Sequence, residues 1–225
     1  MLHTLYNDAT PHGTLANFDF YYRYRDSNMV HPSTTWLKKP LSCHPAMYTD
    51  WLASAFVYEK LTTCTEGVST DPAFVNQSTG KPSGTDSIIT FGGPIVNPIV
   101  KYSESENTPI EDRAPIRYAW APGGGRFEYW NGTIIPNTEF TTWYASRDMF
   151  LIETFQDGDG RLILIMYGYG WRGTYAAGKY FEKNIYPNPE SHKVAWLICK
   201  WEDTNMDNFV NAPDEGDTYT VIAAG

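Results

Sequence analysis

The chain is short of charge. Only 19% of its 225 residues are Asp, Glu, Lys or Arg, and the balance is acidic, at a formal net charge of -9. No Lys/Arg cluster interrupts it. Phosphate contacts need cations, so nucleic acid is not expected as a partner. Long apolar runs are missing as well. Without a stretch of about 18 apolar residues, no direct membrane span is expected. The opening segment LHTLYNDATPHG after Met1 has neither the basic nor the apolar region of a secretory signal. Either a cytosolic protein or a mature fragment restarted at Met1 is expected on that ground.

Catalytic signatures are equally scarce. No G-x-S-x-G nucleophile elbow occurs. His3, His12, His31, His44 and His192 show no His-x-x-x-His or Cys/His metal spacing. Glu104 and Glu106 form a candidate acid pair, but in a polar run where solvation is expected. No catalytic residue is therefore assigned, and the chain is read as a non-enzyme. Cysteine is limited to Cys43, Cys64 and Cys199, so at least one thiol is unpaired. Pro45 suits the first turn of a helix. Tyr48, Trp51, Leu52, Ala55 and Phe56 then follow at i, i+3, i+4, i+7 and i+8, one apolar stripe of an N-terminal amphipathic helix running to Thr62. Its ends would lie roughly 25 Å apart, whereas a disulfide needs Cα atoms within about 7 Å. A Cys43–Cys64 bond is not expected, and the thiols are read as separate and mostly buried.

What is plentiful is apolar and aromatic: 42% hydrophobic residues and 16% aromatics, including 16 Tyr and 8 Trp. Two stretches share one grammar. Ser87–Tyr102, SIITFGGPIVNPIVKY, and Leu162–Tyr180, LILIMYGYGWRGTYAAGKY, each read as a buried strand, a glycine turn and a helix start. Short apolar runs closed by glycine suit central strands covered on both faces. Gly92, Gly93, Gly168, Gly170 and Gly173 are read as structural turn residues that permit close backbone approach. Pro98 removes a donor and restricts Asn97, so the first helix is expected to start after Asn97 or to be short.

The fold class expected is α/β (α+β), one domain over residues 1–225 with these two units at the centre of a sheet. Residues 1–45 read as an irregular, aromatic-anchored segment with one strand-like run, Phe18–Arg25. Residues 65–86 read as a polar surface loop. Residues 115–160 read as an antiparallel hairpin insertion made of PIRYAW, RFEYWNG, TTWYAS and DMFLIETF. Asp157-Gly-Asp-Gly160 resembles a fragment of a calcium loop, but a hairpin turn explains it better. The helix after Gly173 stops at NIYPNP, and Lys193–Trp201 and Thr218–Gly225 read as the last two strands.

Gly168-Tyr-Gly170-Trp-Arg-Gly173 matches the dinucleotide pattern G-x-G-x-x-G between a strand and a helix. Trp171 and Arg172 are bulky where a pyrophosphate approaches, and Glu202 lies farther on than the usual acidic partner at about 20 residues. A structural turn is the stronger reading, with a nucleotide-binding enzyme or sensor as the alternative. A glycan-binding module using exposed aromatics is the other alternative.

The most specific chemistry lies between the last two strands. Asp203, Asn205, Asp207, Asn211 and Asp214 fall at positions 1, 3, 5, 9 and 12 of a loop, with the Phe209 carbonyl at position 7. Calcium takes six to eight hard oxygens, and this spacing lets one loop wrap around the ion. Position 6 holds Asn208 rather than glycine, which Asn tolerates in the left-handed conformation. Asn76-Gln-Ser and Asn131-Gly-Thr are glycosylation sequons.

FGGPIVNPIV (Phe91–Val100), GYGWRGTYAAGKYF (Gly168–Phe181) and KWEDTNMDNFVNAPDEGDTYTVIAAG (Lys200–Gly225) together resemble segments of archaeal S-layer and S-layer-related cell-surface proteins. In that family a GGP…N turn follows one strand, and a second glycine turn leads into a helix carrying small residues, as Thr174, Ala176 and Ala177 do here. The resemblance implies a secreted, glycosylated, non-catalytic surface component. Its partners would be cell-envelope proteins, glycan or further copies of itself. Residues 1–80 and the hairpin insertion carry no resemblance.

Overall fold

Ile88–Phe91 and Leu162–Gly168, the two apolar runs that end in glycine, lie side by side and parallel, Ile88 facing Ile163 and Phe91 facing Met166. They belong to a mixed sheet in a computed structural model that describes residues 28–31, 53, 56–57, 65–121, 124–138 and 146–225. In chain order the strands are β1 (Asn28–His31), β2 (Thr65–Val68), β3 (Ile88–Phe91), β4 (Arg117–Ala121), β5 (Gly124–Glu128), β6 (Arg147–Gln156), β7 (Leu162–Gly168), β8 (Trp196–Glu202) and β9 (Thr218–Ala224). Two helices follow the glycine turns, α1 (Pro98–Ser103) and α2 (Trp171–Tyr180), the second continuing as a π-turn over Phe181–Ile185.

Seven strands make the main sheet, in the order β2-β1-β3-β7-β6-β8-β9. The first four run parallel; β6, β8 and β9 alternate in direction. Side chains alternate between the faces of a strand, and both faces are apolar. Leu162, Leu164 and Met166 join Phe150, Ile152, Leu197, Cys199 and Trp201 in a core under α2. Ile163, Ile165 and Tyr167 join Met149, Leu151, Phe155 and Ile198 in a second core with Ile99, Val100, Ile116 and Phe127. Two-sided burial is why these strands read as continuous apolar runs.

The same fact corrects the hairpin insertion. β4 and β5 do pair as a separate antiparallel hairpin. DMFLIETF does not join them. It is β6, buried over all eight residues from Asp148 to Phe155 and inserted between β7 and β8. Asp157–Gly160 is the turn from β6 to β7. Its acids are held by Arg161, which is 2% exposed and bonds Asp157, Asp159 and the carbonyls of Pro82 and Gly84. Lys81 adds ion pairs to Asp159 and Asp112.

Residues 65–68, expected in a loop, form β2 instead, and β1 lies in a stretch expected to be irregular. The run at Phe18–Arg25, TTWYAS up to Ala145, and Cys43 and Cys64 lie outside the described residues. Of the helix expected over 45–62, Ala53, Phe56 and Val57 are described and helical. Ala53 and Val57 are fully buried in the core under α2. Cys199 is a buried free thiol.

Candidate functional site

The C-terminal ends of β3, β7 and β8 share one edge of the sheet with the starts of β6 and β9. Open α/β sheets bind ligands at such an edge. Each of its turns is built differently.

After β3, Gly92 takes φ 84°, a conformation glycine adopts without steric cost. The Gly93 carbonyl then accepts Val96 N–H and Asn97 N–H. Asn97, 1% exposed, is the N-cap of α1. Its Oδ1 accepts Ile99 N–H at 3.0 Å, and its Nδ2 donates to Thr90 Oγ1 at 2.6 Å and to the Phe91 carbonyl at 2.7 Å. Thr90 Oγ1 in turn donates to the Val30 carbonyl. The Asn of the GGP…N stretch therefore ties helix, β3 and β1 together, and α1 starts at Pro98, directly after it.

After β7, the glycines are needed for contact rather than for φ. A Cβ on Gly168 would lie 2.4 Å from Gly173 Cα, and one on Gly173 would lie 2.9 Å from Asp148 Cγ. Gly170, the N-cap of α2, is extended. The start of α2 is already filled. Asp148 Oδ2 accepts Gly170 N–H at 3.0 Å and Gly173 N–H at 2.8 Å, and Oδ1 accepts Met149 N–H at 2.8 Å. Burial pushes this carboxyl up to about 6, against the three N–H groups that favour its charge. The N–H groups that would hold a pyrophosphate in a dinucleotide fold are thus occupied by a side chain of the protein.

The acidic loop joins β8 to β9, as its flanking strands require. Asp203 is 7% exposed, and its Oδ2 accepts Asn208 N–H at 2.9 Å. Asn208 takes φ 65°, the left-handed conformation expected of it. Asn205, Asp207 and Asn211 come together: Asp207 Oδ2 accepts Asn205 Nδ2 at 3.1 Å and Asn211 Nδ2 at 2.8 Å. Asp207 Oδ1 accepts Phe209 N–H, which with these amides holds the carboxyl below its ordinary range. Asp214 does not join them; it faces Lys183 at 3.8 Å. Phe209 is 71% exposed and Met206 83% exposed. Among the described residues no group of three or more His, Cys, Asp or Glu is arranged around a metal position. The residue missed by the loop template is Asp217, 5% exposed, whose Oδ2 accepts Trp201 Nε1 and Asn211 N–H, each at 2.7 Å. It lies past the twelfth position, directly before β9.

A second acidic pair sits where none was expected. Glu106 is solvated and pairs with Arg117, but Glu104 is 8% exposed. Its neighbour is Glu153 of β6, at 0% exposure. Glu104 Oε1 accepts Tyr167 Oη at 2.6 Å and Oε2 accepts Tyr118 N–H at 2.8 Å; Glu153 Oε2 accepts Ile116 N–H at 3.2 Å. The two glutamates thus serve as acceptors for alternate N–H groups leading into β4. Burial pushes Glu104 up to about 8, and burial together with the Glu104 charge lifts Glu153 well above the carboxylate range. The sequence signal was Glu153, an acid inside the apolar run DMFLIETF.

Both sequon asparagines are exposed in turns, Asn76 beside Ser78 and Asn131 beside Thr133. Between α2 and the acidic loop lies a cleft of about 360 Å³ lined by Trp171, Tyr175, Lys179, Asn208, Phe209 and Asn211. No helix among the described residues is long and apolar enough to cross a membrane. Comparison of the chain with known protein families, with characterised proteins and with solved structures finds no match in any of the three.

Proposed function

We propose that this chain is a non-catalytic structural or interaction domain of an archaeal cell-surface protein of the S-layer type, stabilised by calcium at the β8–β9 loop. The observation that carries the reading is the arrangement of the two glycine-turn units. They stand on adjacent parallel strands, and each turn is closed internally, the first by Asn97 and the second by Asp148. An edge filled by the protein's own side chains suits a scaffold better than a site that must admit substrate. It also weighs against the nucleotide-binding alternative. The seven uncharged residues of β9 at the end of the sheet, together with exposed Trp120, Phe209 and Met206, offer surface for an envelope partner or for a second copy. Asn76 and Asn131 are the sites that would carry glycan, and the location is extracellular.

Immunogold labelling of intact, non-permeabilised cells that make this chain tests the reading. Label along the outer surface is the expected result; label confined to the cytoplasm contradicts it. A glycan-binding module is the second reading, favoured by the aromatic and amide lining of the α2 cleft, because sugar rings stack on aromatic faces and bond side-chain amides. Retention on a carbohydrate array that is lost in Trp171→Ala would favour it.

A further inference from the structure

We infer that the cation of the β8–β9 hairpin is held at its neck, between Asp203 and Asp217, rather than within the loop's outer arc. The inference rests on the calcium stabilisation proposed above and assigns its position. Trp201 pairs with Tyr219 and Glu202 with Thr218. One step further along the hairpin, Asp203 and Asp217 are the next facing residues. Alternation puts them on the face of Trp201 and Tyr219, the face that α2 covers. The chains stay close beyond the paired strands: Asp203 N–H donates to the Ser146 carbonyl on the β6 side, and the Thr204 side-chain Oγ1 reaches across the hairpin to the Gly216 carbonyl. Two like charges directly opposite on one face repel.

Each carboxylate has one satisfied oxygen and one that is not. The Oδ2 atoms take N–H groups from the same arc of loop, Asp203 from Asn208 and Asp217 from Asn211, so both carboxylates turn inward beneath that arc. Asp203 Oδ1 and Asp217 Oδ1 are buried and have no hydrogen-bond partner. Among the described residues no Lys or Arg pairs with either acid. A buried carboxylate oxygen without a donor carries its full desolvation cost. Two such oxygens, on residues that follow the last paired positions of one hairpin, call for a shared positive charge. A hard divalent ion accepts carboxylate oxygens at about 2.3–2.6 Å and fills its remaining places with water or carbonyls. The outer-arc side-chain oxygens of Asn205 and Asp207 are already bonded to side-chain amides or loop N–H groups, the Asn211 carbonyl accepts Tyr219 Oη, and Asp214 faces Lys183.

The test is calorimetric titration of Ca²⁺ into the whole chain and into Asp217→Asn, Asp207→Asn and Asp214→Asn. One bound Ca²⁺, weakened at least 100-fold by Asp217→Asn and less than threefold by Asp214→Asn, is the expected result. Binding that survives Asp217→Asn but is lost in Asp207→Asn overturns the neck site while leaving calcium stabilisation in place. Absence of any calcium heat overturns both. Crystals of the unaltered protein soaked in Tb³⁺ give a readout independent of variant folding. An anomalous peak between Asp203 and Asp217 supports the site, and a peak elsewhere in the loop, or none, overturns it.

Discussion

Asp148 Oδ2 accepts the Gly173 N–H at 2.8 Å, across the interval from the start of β6 to the first turn of α2. With Gly170 and Met149 it takes three backbone donors of a buried turn. Asp148→Ala leaves those donors without an acceptor, and each orphaned buried group costs about 1–3 kcal/mol. Because some will recruit water, a total loss of about 2–4 kcal/mol is expected in urea unfolding. Stability within 0.5 kcal/mol of the parent, roughly the range of an unremarkable surface change, would show that the cap contributes nothing.

The glycine contact beneath that cap gives a sharper test. A Cβ on Gly168 meets main-chain atoms of Gly173 at 2.4 Å and 2.5 Å and Thr174 N at 2.7 Å. Backbone on both sides leaves no flexible side chain to yield. Gly168→Ala is expected to lower stability by about 1–3 kcal/mol, the usual cost of overpacking. Gly93→Val is expected to cost more than about 1 kcal/mol by the same mechanism, because its Cβ would sit 3.0 Å from the Tyr167 ring. The control is Gly132→Ala, where nothing lies within 4 Å and only a φ of 80° resists the change. Equal melting of Gly168→Ala and the parent would mean that α2 does not pack on β7 in this way.

The Glu104–Glu153 pair sets a pH dependence. Both carboxyls are raised in the folded state, Glu104 to about 8 from an ordinary 4.5. The folded protein therefore holds protons that the unfolded chain has released. The pair's contribution to stability is full below about pH 4.5 and is lost as pH rises through the folded values. Across pH 5–8 a loss of about 2–4 kcal/mol is expected. Asp148, raised to about 6, adds to the slope at its acidic end. Glu153→Gln removes one of the two proton-holding carboxyls and is expected to flatten the profile between pH 6 and 8. A parent protein whose urea midpoint is constant over pH 5–8 contradicts the assignment.

The sequence and the structure agree where local chemistry decides. Asn97 and the prolines around it mark the start of α1, the glycines mark both central turns, and NIYPNP ends the helical segment after α2. Disagreement comes where tertiary pairing decides. DMFLIETF reads as one more short β run after PIRYAW and RFEYWNG, and nothing local says that it pairs with β7 and β8 rather than with them. Thr65–Val68 is polar enough for a loop and becomes a strand because β1 lies beside it. The calcium template includes Asp203 because it counts spacing along one loop. It could not find Asp217, whose position depends on the register of two strands. Glu104 was misread for a related reason: its neighbours in sequence are polar, but its neighbours in space are Tyr167, Tyr118 and Glu153.

Thermal melting of the unaltered chain in millimolar Ca²⁺ and again after EDTA tests calcium stabilisation most directly. An ion that binds only the folded state at 100 times its dissociation constant adds about 2.7 kcal/mol. For a chain of this size that corresponds to about 5–10 °C in Tm. A fall of this size on chelation, restored by Ca²⁺ and absent in Asp217→Asn, is the expected result. Identical melting curves with and without the ion would contradict it and leave Asp203 and Asp217 as a hairpin neck with no cation.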